Sequence, residues 1–434
     1  MCRILATTRP YDGSMSHGGI VTKARSLPGK NLFHEHLPIQ SKVDDESIIE
    51  TDFWTVLFNG EILDSAFHND LDYIKELFSQ KDLKDITSEL GQRDGFYSFI
   101  CYNKICGDMF AFTDPLGKKQ LYYDGFSISS EIRPLLKGPI DRLFMSRTIK
   151  FGYVTDDSTP YSNIKRVLPN KVYRFDHNLS LISVAQDNIY DFVARKRNTE
   201  LPQLLQQSVD NRLKGHEDIS LLLSGGVDSS IIYYHILNSR PGLFDKTKEV
   251  KTYCIDNEED LKYARMMYRD TGSIKISHNL DAALIAQEMP LDLGSMEPQY
   301  NLFKSVDSTV ILTGDGADEI FGGYRRMSDY DSQLSDIFDE LVYYHNVRLD
   351  RMSMAHTKEV RSPFMSIPII EYGLALDYDD RKFKKHLRES YKGKICDEIL
   401  NRPKEALKTK EIRKTGGVKY RSGLVELWRE LCNR

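Results

Sequence analysis

The chain has 434 residues, of which 40% are hydrophobic and 28% charged, and its formal net charge is −5. That length suits about two or three domains with ordinary apolar cores, and the near-balanced charge excludes a general polyanion-coating or membrane-surface protein, so no nucleic-acid partner is expected. Six cysteines without paired short spacings point to a reducing compartment. With no apolar signal core after Ile4-Leu5-Ala6 and no membrane-length apolar run, the expectation is a cytoplasmic protein without a membrane partner.

In chain order, the first half reads as short strands. Phe53–Phe58 is β-rich and closes on Asn59-Gly60, a turn pair. Phe96–Tyr102, Met109–Phe112 and Gln120–Tyr123 are further strand-like runs, with the turn Asp114-Pro115-Leu116-Gly117 before the last. Leu71, Ile74, Leu77 and Phe78 stand at helical spacing, so one helix lies among the strands. The texture changes after Asn188. Leu201, Leu204, Leu205, Val209 and Leu213 mark one helix face, with Thr199 as its expected N-cap. The buried-strand run Ile219–Leu223 follows, then Lys251–Ile255 and Thr309–Leu312, each leading into a loop. Strands alternating with helices predict a parallel sheet covered on both faces. The expected domains are 1–187, mainly β, and 188–434, α/β. A basic run near the end, Arg381, Lys382, Lys384, Lys385 and Arg388, reads as a solvated helix face.

Two strings carry chemistry. Ser224-Gly225-Gly226-Val227-Asp228-Ser229-Ser230 follows a buried strand and opens a helix. Such a turn offers free backbone N–H groups at the positive end of the helix dipole, glycines that admit a polyphosphate, and serine hydroxyl donors. Asp228 can hold a magnesium ion against the phosphates. No lysine follows the glycines, so the Walker pattern is excluded. Thr313-Gly314-Asp315-Gly316-Ala317-Asp318-Glu319 follows another strand, and ligands of parallel sheets gather at the carboxyl ends of strands, where both strings would lie.

These strings, with Ile320-Phe321-Gly322-Gly323-Tyr324, Glu359-Val360-Arg361-Ser362-Pro363-Phe364 and Arg402-Pro403-Lys404, resemble the synthetase domain of the glutamine-dependent asparagine synthetase family, in its order and at about its spacing. The resemblance implies an ATP site formed by Leu223, Ser224, Gly225, Gly226, Asp228, Ser229, Ser230, Ile255, Thr313 and Gly314. It implies magnesium on Asp228 and Asp318, Asp315 as the group that deprotonates ammonia, and Lys404 as the cation that neutralises pyrophosphate.

Asn59-Gly60-Glu61-Ile62, Asp94-Gly95-Phe96, Asp114-Pro115-Leu116-Gly117-Lys118 and Ser129-Ser130-Glu131-Ile132 in the amino-terminal half are similar to the same family's class II glutamine amidotransferase domain, which implies an N-terminal-nucleophile (Ntn-hydrolase) αββα sandwich. Removal of Met1 would leave Cys2 as a nucleophile with its own α-amino group as base. The resemblance implies Asn59 and Gly60 as the oxyanion hole, Glu61 and Asp94 on the glutamine ammonium, and His36, Leu37 and Ile39 lining the same substrate. There are departures from the pattern. Arg3 follows Cys2, and the Arg-Gly-Pro-Asp element is missing around His17–Ile20. His36 stands where an arginine should grip the glutamine carboxylate, a task that Arg3 or Arg25 could take over. The connection between Ala283 and Val310 is shorter than usual, and Ser366 replaces an aspartate.

The favoured expectation is an asparagine synthetase using glutamine, ATP and aspartate, with magnesium as cofactor and a homodimer left open. The alternatives are the same mechanism on another carboxylate, an amide-forming cyclase, and a catalytically dead scaffold.

Overall fold

The computed structural model describes residues 2–9, 21–36, 48–64, 69–196, 198–214, 218–239, 250–291, 295–324, 338–403 and 417–432, apart from the side chains of residues 2, 21–24 and 34–36. The strands of the amino-terminal half are β1 (Cys2–Thr7), β2 (Val21–Leu27), β3 (Lys30–His36), β4 (Ile48–Glu50), β5 (Trp54–Ile62) and β6 (Gly95–Asn103). They continue with β7 (Met109–Thr113), β8 (Tyr122–Tyr123), β9 (Ser127–Ser129), β10 (Lys165–Arg166), β11 (Tyr173–Phe175) and β12 (Leu181–Val184). One six-stranded sheet runs β10-β8-β9-β1-β3-β2 and the other β12-β11-β7-β6-β5-β4, with antiparallel pairing throughout.

The two-residue period of a strand sorts side chains between two layers. Ile4 and Ala6 of β1 meet Leu57 of β5 and Ile100 of β6 in the core between the sheets. Val56, Phe58 and Phe99, one step along, turn to the other face of their sheet and pack on α1 (Asp70–Gln80) and α2 (Leu83–Gly91) through Ile74, Phe78, Ile86 and Leu90. Each fully buried aliphatic or aromatic side chain contributes about 1.5–3 kcal/mol. The layered antiparallel expectation therefore holds, with two corrections. A second helix, α2, lies beside the expected one. The Asn59-Gly60 pair does not turn: β5 runs on to Ile62, with Asn59 opposite Ser98 and Gly60 opposite Tyr97. The glycine is needed for close approach, since a Cβ there would lie 1.9 Å from the carbonyl oxygen of Phe96, and its φ is +135°. Helix α3 (Arg142–Phe151) packs through Phe144 and Met145 into the core of the carboxyl-terminal half.

That half is built on α4 (Leu201–Leu213), β13 (Ile219–Leu222), α5 (Val227–Leu237), β14 (Lys251–Ile255), α6 (Glu258–Met267) and β15 (Gly272–Ile274). Then come α7 (Leu280–Gln287), α8 (Met296–Ser305), β16 (Val310–Leu312), α9 (Ala317–Ile320) and β17 (Glu359–Arg361). The sheet order is β15-β14-β13-β16-β17, all parallel. The chain leaves β13 in one direction and returns to its other side at β16, so the topological switch point lies between these two strands. The N-cap of α4 is Glu200, not Thr199, with no side-chain cap bond; Pro202 in its first turn helps fix the start instead. Among the described residues, no helix is long and apolar enough to cross a membrane.

Candidate active site

Both chemistry-bearing strings fall at the switch point. Leu222 ends β13, residues 223–226 turn, and Asp228 lies in the first turn of α5. Thr313–Gly316 turns in the same way after β16. The two loops touch, because a Cβ on Gly314 would lie 2.9 Å from the Cβ of Asp228. Within the first loop, the Ser224 N–H donates to Ser229 Oγ at 3.2 Å and the Gly226 N–H to Ser224 Oγ at 3.4 Å. Ser230 is fully buried, and its Oγ has no hydrogen-bond partner among the described residues. Leu223 is buried in the core and Ile255, at the end of β14, is half-buried. Arg402, from the third motif, reaches the same loop: it donates to the main-chain oxygen of Ser224 at 2.8 Å and pairs with Asp260. Lys404 lies outside the described residues.

The sequence alone does not single out Lys384. Its basic run reads as a solvated face, yet Lys384 has only 2% of its side chain exposed and sits between Asp228 and Asp318. Its Nζ donates to Asp228 Oδ1 and Oδ2 at 2.7 and 2.6 Å and lies 2.6 Å from Asp318 Oδ1. The backbone explains how it gets there. Phe383 and Lys384 both have left-handed φ, 54° and 59°, which costs about 1–3 kcal/mol per residue. Their N–H groups are held by the carbonyls of Gly322 and Phe321 at 3.0 and 3.1 Å. Gly323 leaves room for the ion pair, since a Cβ there would lie 2.0 Å from Asp318 Oδ1. Gly322 has a packing reason too, since a Cβ there would lie 2.8 Å from the carbonyl oxygen of Arg381, and the lone sequence signal for Lys384 is its membership of a charge run. Asp315 lies beside Arg348 Nη2 at 3.3 Å; Arg348 is buried and also donates to Ser295 Oγ.

On the antiparallel side, the β1–β3 register sets Cys2 opposite His36. The side chains of Cys2 and His36, and residues Leu37 and Ile39 altogether, lie outside the described part. Arg3, one of the two candidates to replace an arginine at position 36, is buried and paired with Glu131 at 2.7 Å. The other, Arg25, pairs with Glu50 at 2.9 Å. The Ser129-Ser130-Glu131 segment therefore braces β1, as the Ile4 N–H also donates to Ser130 Oγ at 3.1 Å. Asn59 is buried within β5. Glu61 pairs with Arg361 and Asp94 with Arg212, both arginines belonging to the parallel-sheet half. Asp114 accepts N–H bonds from Tyr97, Leu116, Lys118 and Lys119 at 3.1–3.3 Å. Burial pushes its carboxyl above the usual range in spite of those donors and the Lys118 charge. Burial likewise lowers Lys118, which reaches the main-chain oxygen of Met365 across the junction at 3.4 Å.

Comparison with known proteins adds a second line. A family model described as asparagine synthase matches residues 200–342 and 331–433, and one described as a glutamine amidotransferase domain matches 52–183. A probable glutamine-hydrolyzing asparagine synthetase of Acanthamoeba polyphaga mimivirus is 26% identical over 382 residues, 78% of this chain and 66% of that one. The glutamine-hydrolyzing asparagine synthetase of Gallus gallus is 26% identical over 379 residues, with the same two coverages, 78% and 66%. The corresponding protein 3 of Bacillus subtilis (strain 168) is 24% identical over 474 residues, covering 81% and 75%. The chain thus spans 66% of the length of the first two relatives. Among solved structures, the allosteric regulatory enzyme of purine biosynthesis is similar at a TM-score of 0.28 and 11% identity, over 71% of this chain and 86% of that one.

Proposed function

The chain belongs to the asparagine synthase family, and from that premise we propose that it is a glutamine-hydrolysing synthetase that activates a carboxylate with ATP and converts it to an amide. The finer form of this reading is aspartate as acceptor, giving asparagine, glutamate, AMP and pyrophosphate. The observation that carries it is the cluster of Asp228, Lys384 and Asp318 where the two loops meet at the switch point. Two carboxylates converging on one buried cation are a donor set that suits magnesium, a hard ion with oxygen ligands. Asp228 and Asp318 would hold it, and its charge would help neutralise the nucleotide phosphates. Lys384 then becomes a cation available to the leaving pyrophosphate, beside the role proposed for Lys404.

Residues 1–187 would supply ammonia and 188–434 would use it. Cys2, with Asn59 and Gly60 as its oxyanion hole, attacks the glutamine amide carbonyl; ammonia leaves and water releases glutamate. Asp315 takes a proton from the ammonium that forms as nitrogen attacks the acyl-adenylate. Arg348 at 3.3 Å fixes where that carboxylate points. A different acceptor carboxylate is the second reading, favoured by one feature: Ser366, in place of the usual aspartate, lines a cleft of about 410 Å³ between the two halves.

The test is pyrophosphate release from ATP across a panel of carboxylates, with glutamine or ammonium as nitrogen donor. Aspartate should give the strongest signal with both donors. Release with another acid alone would replace aspartate by that acid, and no release with any acid would refute the synthetase reading.

A further inference from the structure

Glu61 and Asp94 are neighbours at one end of the β5–β6 ladder. Ile62 is opposite Gly95, and the Leu63 N–H donates to the Asp94 carbonyl at 2.8 Å. Their charge partners come from the other half of the molecule. Arg212, in the last turn of α4, forks onto both oxygens of Asp94 at 2.7 and 2.9 Å. Arg361, at the end of β17, pairs with Glu61 and with Glu359, the latter at 2.7 Å. Only 2% and 0% of these two arginine side chains are exposed. One frame holds both: Arg361 donates to the main-chain oxygen of Arg212, and Arg212 donates to Ser208 Oγ at 2.7 Å. The Ser208 hydroxyl in turn donates to the carbonyl of Pro363 at 2.7 Å.

We propose that Arg212 and Arg361 are positioning residues of the glutamine pocket, aiming Asp94 and Glu61 at the substrate α-ammonium so that the parallel-sheet half completes the site. This rests on the glutamine-hydrolysing reading above. Two shielded carboxylates side by side repel each other, which works against holding both toward one ligand. A buried guanidinium beside each of them offsets that repulsion, Arg212 at Asp94 and Arg361 at Glu61. A carboxylate has about four lone-pair directions, so a forked arginine still leaves acceptor capacity for an ammonium N–H. A planar fork also fixes the carboxylate plane, which a lysine cannot do. The same strand ties the frame to the nucleotide loop, as the Thr313 N–H donates to the Arg361 carbonyl at 3.1 Å.

The experiment is steady-state hydrolysis by the full chain, without ATP, of glutamine and of 4-carbamoylbutanoate, which is glutamine lacking its α-amino group. The readout is the ratio of the two kcat/KM values, a measure of ammonium recognition that general loosening of the fold would not move. In Arg212→Gln the ratio should fall about ten-fold, mainly through a higher glutamine KM with kcat less affected, and Arg212→Lys should recover part of it. Arg361→Lys keeps the buried charge, guards against loss of folding, and should lower the ratio in the same direction. A ratio unchanged in Arg212→Lys, Arg212→Gln and Arg361→Lys, with both substrates falling together or neither falling, would overturn the positioning role alone. A wild-type chain that hydrolyses neither substrate would instead overturn the glutaminase reading, and this role with it.

Discussion

On the parallel sheet, the proposed reactive groups come from two turns at the carboxyl ends of adjacent strands, β13 and β16. On the antiparallel sheets, they come from within or beside the strands: Cys2 begins β1, Asn59 to Glu61 lie inside β5, and Asp94 stands one residue before β6. The turns are shaped by their own residues, so a contiguous string specifies most of the geometry. A strand residue acquires its surroundings from the ladder and from whatever packs on the sheet. Asp94 and Glu61 illustrate this, since their arginine partners are 118 and 300 positions away in the chain. What the two regions share is that each proposed site rests on a buried cation delivered from elsewhere in the sequence.

If the two regions perform separable chemistry, the largest effect should come from breaking the cation cluster. Asp228→Asn and Lys384→Ala should each reduce pyrophosphate release by about hundreds-fold while glutamine hydrolysis measured without ATP survives. Wild-type pyrophosphate release in either variant would remove that residue from the adenylating site.

A smaller effect should separate the regions by their response to acid. His235, on α5 behind the turn at residues 223–226, is buried between Gln206 Oε1, 2.8 Å from Nδ1, and the Tyr391 hydroxyl at Nε2. Burial, helped by the Lys394 charge, pushes its pKa down to about 4 from the ordinary 6.5. Between those values the unfolded chain binds the proton more readily than the folded one, so stability rises with pH across this window and is lost on acidification. From pH 7 to pH 5 that loss is about 2 kcal/mol. His235→Gln should flatten the corresponding fall in Tm without removing the contribution of His356, which burial also lowers to about 4. An unchanged pH slope in His235→Gln would show that the imidazole does not carry it.

The legibility of the sequence follows the same division. Strands β6, β7, β13, β14 and β16 lie where alternation and apolar runs placed them, within a residue or two at their ends, because burial and strand period act locally. Asn59-Gly60 misled, since this pair is both a common turn and a place where a neighbouring strand can press close; the carbonyl of Phe96 decides for the second. Lys384 was hidden because a lysine in a basic run looks solvated, and only the left-handed backbone at Phe383 and Lys384 turns it inward. In the sequence Arg212 is one residue of a helix and Arg361 one residue of a motif, while their pairing with Asp94 and Glu61 depends on how two distant halves of the chain meet.

One chain is proposed to join glutamine hydrolysis to ATP-driven amide synthesis at two distinct sites. Cys2→Ala tests it most directly, with amide product measured under ATP and the preferred carboxylate, once with glutamine and once with ammonium. Glutamine-supported synthesis should vanish while ammonium-supported synthesis stays close to the wild-type rate, because the first site alone needs the thiolate. Equal loss of both activities, or full retention of the glutamine-supported one, would contradict it.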